Sequence, residues 1–70
     1  MDTQLFLTQA EAAELLRLSP RTLERHRVAG SGPRFIKAGR RVLYRRSDLE
    51  QWALANTFSS TSEADLAGGV

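Results

Sequence analysis

The sequence predicts a small α+β domain in the order helix, helix, hairpin, helix. Three observations predict it. Two helix-start signals stand at Thr8 and Ser19, two short apolar runs flank Gly39, and a further helix start follows at Ser47. At 70 residues the chain has room for one domain. A chain of this size buries only roughly 60% of its extended surface, so its core must be compact.

Each element has its own local reason. Residues 1–7 form a lead in which Leu5, Phe6 and Leu7 either add a small strand or pack beside the first helix. Thr8-Gln9-Ala10-Glu11 has capping-box spacing, in which hydroxyl and carboxylate each meet an orphan N–H of the other residue. Ala12, Ala13, Leu15 and Leu16 supply an apolar side, so a helix is expected over about 9–16. Ser19 is a good N-cap, and Pro20 suits the first helical position, where its missing N–H costs nothing. A second helix follows over about 20–29 and stops near Gly30.

Gly30-Ser31-Gly32-Pro33 opens a loop. Phe35–Ala38 and Arg41–Tyr44 then read as two strands around Gly39-Arg40, a hairpin that must rest on the helices to survive. Ser47-Asp48-Leu49-Glu50 repeats the capping-box pattern and starts a helix over about 48–55, with Leu49, Trp52 and Ala53 on its packing face. Residues 56–70 are polar, small and weakly periodic, and are expected to form a mostly disordered tail. The order describes a winged helix-turn-helix domain over residues 8–55.

The charge is concentrated. Ten basic residues stand against eight acidic ones, yet all ten basic residues lie between Arg17 and Arg46, where Glu24 is the only acid. That stretch carries about +9, and nine of its ten cations are arginine, which suits both phosphate and guanine recognition. A polyanionic partner is the expectation. Cysteine is absent and His26 is the only histidine, so disulfides, thiolate ligands and a histidine-cluster zinc site are excluded, and no cofactor is expected. No apolar run approaches the ~20 residues of a membrane helix and no signal-peptide core follows Met1, so no membrane role is expected. A cytoplasmic protein, associated with the nucleoid when bound to DNA, is the default.

The chain resembles the small MerR-like winged-helix proteins grouped as excisionases (recombination directionality factors) and prophage- or phage-type transcriptional regulators. Thr8, Glu11, Ala13, Leu16, Ser19, Thr22 and Leu23 carry the first part of the likeness. Gly30, Phe35, Lys37, Gly39, Arg40, Arg41 and Tyr44 carry the second, and Ser47, Asp48, Leu49 and Trp52 the third. The likeness spans about residues 5–55. It implies that the second helix enters a major groove and that the hairpin wing contacts backbone or minor groove beside it. His26 departs from the family pattern, where Trp, Leu or Tyr is common, and makes the packing under the wing smaller and more polar. Full MerR proteins add a dimerisation helix and an effector domain, and neither fits in fifteen residues, so no small-molecule effector is expected.

On the second helix Arg21 and Arg25 are four apart and share a face, placing both as candidates for guanine O6 and N7. Thr22 either meets a thymine methyl or phosphate, or packs within its own helix. Arg27 is a candidate for phosphate, and Glu24 either accepts from a cytosine amine or orients Arg21 or Arg27. In the wing, Lys37, Arg40 and Arg41 are candidates for backbone or a narrow minor groove, whose negative potential attracts Arg. Of Arg45 and Arg46, one is expected to reach phosphate and the other to pair with Asp48 or Glu50. Tyr44 admits two roles together, its ring on the core and its hydroxyl on phosphate. Leu16, Leu23, His26, Phe35, Val42, Leu43, Leu49 and Trp52 are the expected core.

No partnered nucleophile or metal cluster is visible, so catalysis is not expected. The reading is a sequence-specific double-stranded DNA-binding protein. By resemblance it is an excisionase that binds repeated sites cooperatively, bends DNA and assists a separate integrase, or else a small transcriptional regulator. One domain covers few base pairs, so copies associating head to tail on DNA, or a second protein, would supply specificity. A protein-interaction module using the basic face on an acidic partner is the more distant alternative.

Overall fold

A computed structural model describes residues 5–68. Strand β1 (Phe6–Thr8) runs into helix α1 (Gln9–Leu16), and α2 (Pro20–Ala29) follows across a three-residue turn. Then come β2 (Ile36–Ala38), β3 (Arg41–Arg45), α3 (Arg46–Ala55) and α4 (Thr61–Gly68). The sheet is antiparallel throughout, in the order β1-β3-β2. Leu43 sits between Thr8 and Ile36, and Leu7 lies opposite Tyr44. The lead therefore takes the first of its two expected roles: Phe6 and Leu7 close the sheet as a third strand, so the wing is anchored on both sides of β3. Residues 1–4 of the lead lie outside the described residues.

The helix-turn-helix pair forms for the local reasons in its sequence. Thr8 N–H donates to Glu11 Oε1 at 2.9 Å and Glu11 N–H to Thr8 Oγ1 at 3.2 Å, a complete capping box. Arg17 ends α1 in the left-handed region at φ 62°, and Leu18 N–H returns to Ala13 C=O at 2.8 Å. That conformation costs a non-glycine residue about 1–2 kcal/mol, which the close turn into α2 must offset. Ser19 then caps α2 by accepting from Thr22 N–H at 3.1 Å. Ala12 and Ala13 are fully buried, and their small side chains let α2 cross α1 closely. The core comprises Leu7, Ala12, Ala13, Leu23, Tyr44 and Leu49, with Leu16 and Val42 packed on it.

Four expectations are corrected. Helix α3 begins at Arg46 rather than 48, and the Ser47–Glu50 capping box does not form. Strand β3 passes into the helix without a loop, so Arg45 is the N-cap, and Arg46 N–H finds its acceptor on Leu5 C=O at 3.2 Å. Ala53 is exposed rather than packed, because Leu49 and Trp52 already cover the inward side. Phe35, an expected core residue, is 42% exposed, since the sheet begins one residue later, at Ile36. Residues 61–68 of the expected disordered tail form a helix, because Ser60 Oγ accepts from Glu63 N–H at 3.1 Å while Glu63 Oε1 accepts from Ser59 N–H at 3.0 Å. Glu63 thus bonds two neighbouring serines, whereas in the Thr8 box a single pair exchanges both bonds. Residues 69–70 lie outside the described residues.

Candidate nucleic-acid interface

Helix α2 is pinned from one side. Leu23 is fully buried, which turns Arg21, Glu24, Arg25 and Val28 outward along a single exposed stripe. Arg21 and Arg25 thus sit where the sequence placed them, one turn apart on solvent. No salt bridge engages Glu24 among the described residues, so the expected orienting pair with Arg21 or Arg27 does not form. Thr22 takes the packing alternative: it is half-buried, and its hydroxyl lies 2.8 Å from Ser19 Oγ inside the helix cap.

Arg27 turns the other way. Its Nη2 donates to Gln9 Oε1 at 3.2 Å, and its guanidinium carbon lies 5.7 Å from the centre of the Phe35 ring. Gln9 in turn donates to Pro20 C=O at 3.4 Å. The expectation that Arg27 reaches phosphate is corrected. Two residues round the helix from Arg25, it faces the protein and fastens the end of α2 to α1 and to the base of the wing. Exposed Phe35 finds its role here, as the aromatic face under that cation and 6.4 Å from the Tyr44 ring.

Tyr44 is likewise interior. The ring is fully buried and the hydroxyl, also buried, has no hydrogen-bond partner. Burial raises its pKa above the ordinary tyrosine value. The nearby Arg27 charge opposes this without meeting the hydroxyl in hydrogen-bond geometry, and Glu24 adds to the rise. The expectation that this hydroxyl touches phosphate is therefore corrected: β3 points it into the core, opposite Leu7. Of Arg45 and Arg46, Arg45 takes the expected pairing with Asp48. Its Nε and Nη2 grip Asp48 at 2.9 and 3.2 Å, a bidentate pair across the strand-to-helix junction. The Asp48 hydrogen bond raises the Arg45 pKa, and the Arg45 hydrogen bond holds the Asp48 carboxyl below its usual range, with Arg34 contributing.

The wing tip stays open to solvent. Gly39 takes φ 65° at the first position of a two-residue loop, which a side chain would resist, and Lys37, Arg40 and Arg41 are all exposed around it. On the other side of α2, His26 Nδ1 lies 2.9 Å from Ser31 Oγ and its ring meets Trp52 edge to face at 5.5 Å. Trp52 Nε1 donates to Ser31 C=O at 3.0 Å. A Cβ on Gly32 would sit 2.8 Å from the His26 Cβ, so this junction requires glycine there. The small polar packing expected at His26 is thus a hydrogen-bonded joint between α2, the loop and α3. Two exposed residues escape sequence reasoning: Val28 on the outward stripe and Arg34 in the loop before the wing. The outward position of Val28 is legible from the helical period, three residues beyond Arg25.

Among the described residues no group of His, Asp or Glu is placed to hold a metal, and no helix is long and apolar enough to cross a membrane. An outward arginine stripe on the second helix, with a cationic hairpin beyond it, defines a DNA-binding winged helix-turn-helix fold. The chain belongs to the helix-turn-helix domain family, which matches residues 6–57, from β1 to just beyond α3. Domains of this family are non-catalytic DNA-binding modules. A comparison with curated proteins returns no match.

Proposed function

We propose that this protein is a sequence-specific double-stranded DNA-binding protein acting as an excisionase, a recombination directionality factor. The observation that carries the DNA reading is the outward stripe of α2, with Arg21 and Arg25 exposed and uncommitted opposite buried Leu23. The stripe lies in a major groove, where each guanidinium grips guanine O6 and N7, while Lys37, Arg40 and Arg41 meet the neighbouring backbone or minor groove. Phosphate contacts supply affinity and register, and the stripe supplies sequence preference.

The resemblance of residues 5–55 to excisionases supports the finer part. In that role several copies associate head to tail beside an attachment site, bend the DNA and help an integrase to assemble, and the protein itself breaks no bond. The protein acts in the cytoplasm, on the nucleoid. Selection of bound sites from random duplex DNA, followed by footprinting, tests the DNA reading: short tandem repeats are expected, with a footprint weakened by Arg25→Ala. An integrase-dependent excision assay on the selected site then separates the roles. Stimulated excision supports the directionality factor, whereas promoter repression without stimulated excision assigns the protein as a transcriptional regulator.

A further inference from the structure

Val28 has no packing role, and its position gives it another. It is 76% exposed, and it lines a shallow surface groove on α2 with Arg21, Glu24, Arg25 and Ala29. Around the helix it falls between Glu24 and Arg25, in the middle of the outward stripe and away from buried Leu23. A β-branched side chain in solvent is a poor choice for a helix surface, because it loses rotamer freedom without burying apolar area. Lone exposed apolar residues are common. This one, however, is the only large apolar side chain on a stripe whose other members are ionic.

Any polyanion that Arg21 and Arg25 draw against the stripe also meets the Val28 isopropyl group. In the major groove of duplex DNA, the one apolar group on a base edge is the thymine 5-methyl. We infer that Val28 reads a thymine methyl beside the bases contacted by Arg25, a specificity contact that rests on the DNA reading of α2. Thr22, the other candidate for a methyl contact, is half-buried with its hydroxyl inside the Ser19 cap. Glu24 on the same stripe sharpens the choice, because its carboxylate repels phosphate and accepts only from a donor such as the cytosine amine.

The test uses the full chain and its own selected site. Each thymine is replaced singly by deoxyuridine, which removes only the 5-methyl, and affinities are measured for the wild-type protein and for Val28→Ala. At one or two positions the wild type is expected to bind uracil roughly fourfold more weakly than thymine, about the value of one buried methyl group. Val28→Ala should bind the two alike there, with a melting temperature no lower than that of the wild type. A wild-type thymine preference that persists undiminished in Val28→Ala overturns the inference, as does a selected site at which no thymine matters. Both results leave the DNA reading intact, whereas failure to select any site removes the DNA reading itself and this contact with it.

Discussion

Arg25 and Arg27 stand two residues apart on α2 and end in opposite circumstances. Arg25 lies on the exposed stripe, whereas Arg27 is half-buried, bonded to Gln9 and stacked over Phe35. The same division runs through the rest of the basic segment. Arg40 and Arg41 surround the open wing tip, while Arg45 is held by Asp48. A count of cations therefore overstates the binding surface. Some arginines serve as long, multiply donating braces that fix the angle at which the others are presented.

Substitutions at Arg25 and Arg27 separate the two kinds of arginine most directly. Arg25→Ala should weaken binding to the selected site by about 1–3 kcal/mol, the range of a bidentate guanine pairing, with thermal stability within about 0.5 kcal/mol of wild type. Titration by fluorescence anisotropy alongside thermal melting measures both; a large drop in stability would place Arg25 among the braces. Arg27→Ala should do the reverse. It removes the Gln9 hydrogen bond and the stacking on Phe35, so a destabilisation of about 1–2 kcal/mol is expected. Denaturant unfolding reads this, and affinity per folded molecule should fall less than for Arg25→Ala.

Arg40→Ala and Arg41→Ala address the wing. Removing one cation from a phosphate should lower the slope of log affinity against log salt by about 0.9, with little change in which sequence is preferred. An unchanged slope in both variants would leave the tip in solvent. The smallest effect is expected at Tyr44→Phe, which deletes a buried hydroxyl that has no partner. DNA affinity should not move, and stability at neutral pH should hold or rise. Because the folded state raises the Tyr44 pKa, the hydroxyl ionises first in the unfolded chain. The wild type should thus lose stability as pH climbs from the ordinary tyrosine value towards the folded one, and Tyr44→Phe should lack that alkaline loss.

Much of the fold is legible in the sequence because its signals are local. The Thr8–Glu11 box, Pro20 after Ser19 and the Gly39 turn act on backbone groups within three or four residues, and the elements they predict form. The same logic fails at Ser47-Asp48, where the spacing is right but β3 enters α3 without a break and Asp48 turns to Arg45 instead. In the tail, the Ser59–Glu63 capping signal is present in the sequence but is masked by the weak apolar period around it.

The candidate site is legible in part. Arg21 and Arg25 follow from the helical period once Leu23 is taken as the inward residue. Where most of the helices and turns begin and end, and the strong cationic charge of the central segment, depend on neighbours along the chain and are readable there. Which cations face outward depends on contacts between distant segments. The partner of Arg27 lies eighteen residues away, on another helix, and its aromatic support stands at the start of the wing. The burial of Tyr44 depends likewise on β1 pairing with β3. A long guanidinium side chain reaches any of several acceptors with equal local ease, so its choice is made by the packing that brings distant segments together.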